Sequence, residues 1–205
     1  MTSSRDDEKY PYTGRDWRKV KPGSLTRGER VISFIEKYCL IPEGAKVGQP
    51  FVLENFQKAF IIGVYDNPNT TSRAILSMAR RNGKTALIAA ILLAHIVGPE
   101  AVQNAQVISG ASSRDRAALV FNLAFKMLKL NPAFEGKYSA TLSGKRIVGL
   151  GKNTEYRALA ADGTTAHGLS PILAILDETG QVRGPTTPFI EAITTSQGAH
   201  EKPLL

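Results

Sequence analysis

The chain is poor in the residues that build covalent or metal-held sites. Its single cysteine, Cys39, excludes an internal disulfide, and with only His95, His167 and His200 there is no plausible zinc cluster. Such sparse cysteine usage fits a reducing cytoplasm. No apolar run approaches the length of a membrane span, and the N-terminus is polar and charged, so neither insertion nor export is expected. Acidic residues are in deficit: 18 Asp and Glu stand against 26 Lys and Arg, a net charge of +8 that favours a polyanion as partner. Internal repeats and low-complexity tracts are missing too. What remains is a 205-residue chain, 42% hydrophobic, with enough apolar material for one sizeable core.

The most informative stretch is Ser77-Met78-Ala79-Arg80-Arg81-Asn82-Gly83-Lys84-Thr85. Ala74-Ile75-Leu76 before it has the composition of a short strand, and Ala86 to Val97 after it that of a buried helix. A loop between such elements turns its backbone N–H groups and the helix N-terminus toward phosphate; Lys84 reaches the β and γ phosphates and the Thr85 hydroxyl ligates Mg²⁺. The P-loop pattern G-x-x-x-x-G-K-[ST] is imperfect here, because Met78 occupies the position of the first glycine. Gly-Lys-Thr alone would also suit a surface turn; its flanks decide for nucleotide binding. Arg80 and Arg81 raise local phosphate affinity, and either is placed to act as an arginine finger in cis, although Arg81 reads equally well as a solvated loop charge. Upstream, Phe56 and Gln57 are a pair able to pack and hydrogen-bond an adenine, while helix-start packing explains Phe56 as well.

The second half of a nucleotide site lies in Pro171-Ile172-Leu173-Ala174-Ile175-Leu176-Asp177-Glu178. A continuous apolar run is the signature of a parallel strand buried on both faces. The carboxylates at its end can divide their labour: Asp177 holds the Mg²⁺ shell, and Glu178 polarises the attacking water as general base.

Between these landmarks the spacing predicts alternating elements. Residues 1–23 mix charges with prolines and glycines and read as a flexible or loosely docked arm, with an ATPase domain over 24–205. Thr26 and Glu29 form a capping box for an amphipathic helix ending near Pro42, and a second helix covers Asn55 to Tyr65. Ala105 to Ser109 reads as a strand, Ser112 to Leu130 as a helix, Ser143-Gly144-Lys145 as a hairpin turn and Tyr156 to Leu159 as an extended stretch. Strand, helix, strand, helix, strand is the order of an α/β fold with a parallel sheet flanked by helices. Thr164, Thr165 and His167, in the loop before the acidic strand, are candidates for contact with DNA or a neighbouring subunit, though such loops are more often connections.

Together, Ala79 to Thr85 with methionine at the first-glycine position, Leu53 to Gln57, and Leu173 to Gly184 resemble the N-terminal ATPase part of tailed-bacteriophage large terminase subunits, over about Thr26 to Leu205. That resemblance implies a P-loop NTPase of the ASCE type, ATP and Mg²⁺ as cofactors, and packaging of double-stranded DNA into proheads. It implies Arg80 as the residue sensing or stabilising the γ-phosphate, adenine recognition by Gln57, phosphate contacts from Arg81, Asn82, Gly83, Lys84 and Thr85, metal binding by Thr85 and Asp177, and catalysis by Glu178. Its further implications are a portal protein and a small terminase subunit as partners, a homo-oligomeric ring at full length, and the cytoplasm of an infected bacterium as the location. A C-terminal nuclease domain, usual in the family, is not identifiable. The sheet is expected to be truncated after the Asp177 strand, with a gap between that strand and the P-loop strand. Two other readings stand beside this one: a helicase-like nucleic-acid-dependent ATPase, and a nucleotide-binding docking module without turnover.

Overall fold

The structure is a computed structural model that describes residues 12, 14–79, 82–111, 114–160, 170–176, 191 and 204. Helix α1 (Arg27–Tyr38) starts where the capping box predicts: the Thr26 hydroxyl accepts from Glu29 N at 3.2 Å, and Glu29 Oε2 accepts from Thr26 N at 2.8 Å. Helix α2 (Asn55–Tyr65) is opened by a second reciprocal cap between Glu54 and Gln57 and closed by Asp66. The Asp66 carboxylate stitches the two helices together, accepting from Gly28 N at 2.7 Å and the Thr26 hydroxyl at 2.6 Å.

Helix α3 (Lys84–Ile96) is apolar around its whole circumference, so it must be buried on every side. Its residues from Ala89 to Ile96 are all buried, in a layer between α1 and the sheet. Helix α4 (Arg114–Leu130) lies beside it and gives Val120, Phe121, Ala124, Met127 and Leu128 to the core. Phe125 is only partly buried and stacks on Phe121 with ring centroids 6.0 Å apart.

Five strands form one sheet: β1 (Gln106–Ala111), β2 (Tyr138–Thr141), β3 (Arg146–Gly149), β4 (Thr154–Ala160) and β5 (Pro171–Leu176), in the order β2-β3-β4-β1-β5. The pairs β1–β4 and β1–β5 are parallel, whereas β2 and β3 form an antiparallel hairpin added to the outer side of β4. Tyr156 on β4 is fully buried, and its hydroxyl is 2.7 Å from the Ser109 hydroxyl on β1, which satisfies both groups inside the core.

One close approach fixes the direction of α3. A Cβ on Gly149 would lie 2.0 Å from the carbonyl oxygen of Ile96, the last residue of that helix. Gly149 pairs with Thr154 at the amino end of β4, so α3 ends there and runs antiparallel to the parallel strands. Thirteen helical residues rise about 20 Å, close to the length of a seven-residue strand. The first turn of α3 is therefore carried toward the sheet edge on which β1, β4 and β5 end.

Two expectations from the sequence change. Ala74-Ile75-Leu76 forms no ladder among the described residues: burial alternates along 73–79, but this segment has no regular structure and pairs with no described strand. Ladder formation needs a partner as well as a strand-like sequence. On the outer side of β5 the described pairing is a single parallel bridge between Leu173 and Leu204. The arm, read as flexible or loosely docked over 1–23, is held more firmly than that where it is described. From Arg15 onward it is docked on α1, with the Arg15 guanidinium forked on Glu29 at 2.9 and 2.7 Å and Trp17 Nε1 donating to Glu36 at 2.7 Å. No local periodicity announces such contacts, because they depend on buried carboxylates 14 and 19 residues away.

Candidate nucleotide site

Gly83 adopts a left-handed conformation, φ 71° and ψ 14°, and is the residue that turns the chain into α3. A side chain would find open space there but a disfavoured backbone, so the glycine is required by conformation rather than by crowding. No side chain caps α3. The N–H groups of a first helical turn need acceptors, and the helix dipole favours a negative one. Asn82 and Gly83 are exposed, while Lys84, Thr85 and Ala86 are half-buried before the helix sinks into the core at Leu87. An uncapped helix start, an ammonium group and a hydroxyl in succession are the donor set of a triphosphate and its hard cation. Beside Thr85 runs an open groove of about 420 Å³, lined on its α4 side by Leu119, Asn122, Leu123 and Phe125 and bounded by the Lys126–Glu43 ion pair.

β5 runs toward the same edge. Its pattern is buried at Pro171, Leu173, Ala174 and Ile175, and Leu176 is its last residue. Asp177 and Glu178 lie outside the described residues, as do Arg80 and Arg81 in the loop and Thr164, Thr165 and His167.

Gln57 is placed but with an additional task. Its Oε1 accepts from Glu54 N at 3.0 Å, so the buried side chain caps α2 and its amide plane is fixed by that cap. Sequence reasoning missed the group behind it. Glu36, on the buried face of α1, accepts from Leu53 N at 3.2 Å and Lys58 Nζ at 3.0 Å on either side of Gln57, and from Trp17 Nε1 at 2.7 Å and Arg18 at 2.8 Å. Burial alone would raise the Glu36 carboxyl, but donation from Trp17 and Lys58 outweighs it and holds the group below the ordinary carboxylate range. The available signal was a glutamate on an apolar helix face, four residues after Ile32 and next to Ile35.

Comparison with known proteins converges on one family. The family model for the terminase large subunit ATPase domain matches residues 55–204. The terminase large subunit of Enterobacteria phage HK97 is 66% identical over 181 residues, which is 88% of this chain and 36% of that protein. The crystal structure of the HK97 large terminase superposes with a TM-score of 0.82 at 65% identity, covering 88% of this chain and 37% of the other. The large terminase ATPase domain of Thermus phage P74-26 shares the fold at 18% identity, with a TM-score of 0.56 over 70% of this chain and 61% of its own. This chain thus spans a little over a third of the length of its HK97 relative.

Proposed function

Because this chain belongs to the family of terminase large subunit ATPase domains, we propose that it is the ATP-hydrolysing module of a viral motor that drives double-stranded DNA into a prohead. The observation that carries the catalytic half of this reading is the start of α3: a left-handed glycine, then lysine and threonine, at an uncapped helix terminus. Bound magnesium triphosphate supplies the transferable phosphoryl group and the metal's positive charge. Lys84 and the N–H groups after Gly83 hold the β and γ oxygens, and the Thr85 hydroxyl and Asp177 orient the cation. Glu178 accepts a proton from the attacking water. Arg80 reads the γ-phosphate, Arg81 and Asn82 add polar contacts, and Gln57 holds the adenine.

Loss of the γ-phosphate removes the partner of Arg80, and the released loop moves the body that grips DNA. Grip on a phosphate backbone requires no base readout. The portal protein, the small terminase subunit, a ring of like subunits and the cytoplasm of an infected bacterium complete this reading.

A second reading has one observation in its favour. The segment before the loop packs Ala74 and Leu76 on the core but pairs with no strand among the described residues, so among these no ladder fixes the backbone leading into the loop. That suits a nucleotide-binding docking module without turnover. Steady-state phosphate release, with and without DNA, separates the two. Turnover in the wild type that is abolished in Lys84→Ala and Glu178→Gln supports the motor module. ATP binding without release supports the docking module, and failure to bind any nucleoside triphosphate overturns both.

A further inference from the structure

Glu36 has no solvent-exposed side-chain surface, yet it is ionised and surrounded by four donors. Replacing a buried ionic group by an apolar one of similar volume is often neutral or stabilising, so packing alone does not explain the charge. The geometry of the donors does. Leu53 N and Lys58 Nζ, both on Oε1, lie on either side of the Glu54–Gln57 cap, so one carboxylate oxygen fixes the ends of a six-residue segment with Gln57 inside it. Trp17 Nε1 and the Arg18 guanidinium, both on Oε2, come from the docked arm. Arg18 lies over the Trp17 ring at 4.8 Å, and Lys58 faces the Tyr12 ring at 5.9 Å, so the arm covers the segment as well as touching the carboxylate.

We propose that Glu36 is a positioning residue for base selection: it locks the arm and the 53–58 segment into one unit and thereby sets the pose in which Gln57 distinguishes adenine from guanine. This rests on the reading of Gln57 as the adenine contact. The Gln57 carbonyl retains a second lone pair beyond its cap bond, and with the amide N–H it matches adenine's N6 donor and N7 acceptor. Guanine offers two acceptors at those positions and leaves the carbonyl unmatched. A paired contact of this kind tolerates little rotation, and Glu36 is what prevents rotation of the segment.

The test is calorimetric titration of the full chain with ATP, GTP and inorganic tripolyphosphate, for the wild type, Glu36→Gln and Trp17→Phe. Trp17→Phe removes one donor from the arm and remains informative should Glu36→Gln fail to fold. The expected result is an ATP-over-GTP affinity ratio lowered about tenfold in the variants, the scale of one hydrogen bond, with tripolyphosphate affinity unchanged because the α3 terminus is intact. An unchanged ratio in folded variants overturns the proposal. So does a parallel fall in all three affinities, which would mark a general loss of structure. A wild type that binds triphosphates without base preference overturns it alone, whereas a wild type that binds none overturns the functional reading beneath it.

Discussion

His95 shows how far one side chain can tie stability to pH. Its Nε2 is 2.8 Å from the Tyr65 hydroxyl, and its Nδ1 is buried without a partner. Burial, and then the positive charge of Arg27, push its pKa down to about 3. The unfolded chain, with a histidine near 6.5, binds the proton that the native state refuses, so this contribution is complete above about 6.5 and declines as pH falls toward 3. The wild type should be about 2 kcal/mol less stable at pH 5 than at pH 7. Urea midpoints at the two pH values, compared with those of His95→Gln, check this; an equal slope in the variant would assign it elsewhere. Glu29 and Glu36, both lowered, act in a more acidic window that overlaps only the lower end of this one, since their stabilisation is lost as pH falls below the ordinary carboxylate value. For the site itself, Lys84→Ala should abolish ATP binding in titration calorimetry while leaving the thermal midpoint nearly unchanged, because Lys84 is only half-buried.

Among the elements, helix starts and close approaches carry the stability risks. Thr26→Ala removes both the cap of α1 and the hydrogen bond to Asp66, and should cost about 1–2 kcal/mol in chemical denaturation. Gly149→Ala should cost about 3 kcal/mol, since the new methyl group meets rigid helix backbone, whereas Gly151→Ala, with open space around it, should be nearly neutral in the same assay. The readability of the elements follows the range of the forces that make them. The span of α2 was legible because the signals that make a helix are local, and the β5 run and the hairpin around Lys145 are local too. Ala74-Ile75-Leu76 has strand composition but no ladder among the described residues, because a ladder depends on a neighbour that no short window contains. The contacts of the docked arm were invisible for a similar reason: Arg18 and Glu36 are 18 residues apart. Within the site, Gly83, Lys84 and Thr85 were readable as a motif and stand at a helix start. The second duty of Gln57 as a cap was implicit in Glu54-x-x-Gln57 but competed with its reading as an adenine contact.

At the level of the whole molecule, the proposed packaging role together with the net charge of +8 predicts a DNA affinity that is electrostatic in origin. Binding to two duplexes of unrelated sequence should weaken equally and steeply as salt is raised from about 50 to 200 mM in fluorescence anisotropy. A marked sequence preference or a flat salt response would contradict that. The outer surface also carries an association hazard. Ile75 is 83% exposed on a segment that pairs with no described strand. Ile75→Lys should therefore reduce concentration-dependent self-association in sedimentation velocity.

The contact between Ile96 and Gly149 has a mechanical corollary. α3 begins on the turn at Gly83, proposed above to hold phosphate, and ends with a carbonyl oxygen lodged where a methyl group would otherwise be. Backbone meets backbone at that end, and the helix is buried from Ala89 onward. A stiff element about 20 Å long thus joins the turn at Gly83 to the β2–β3 hairpin, and an axial shift at Lys84 would be expected to be felt at the rim of the sheet farthest along the strand order from β5.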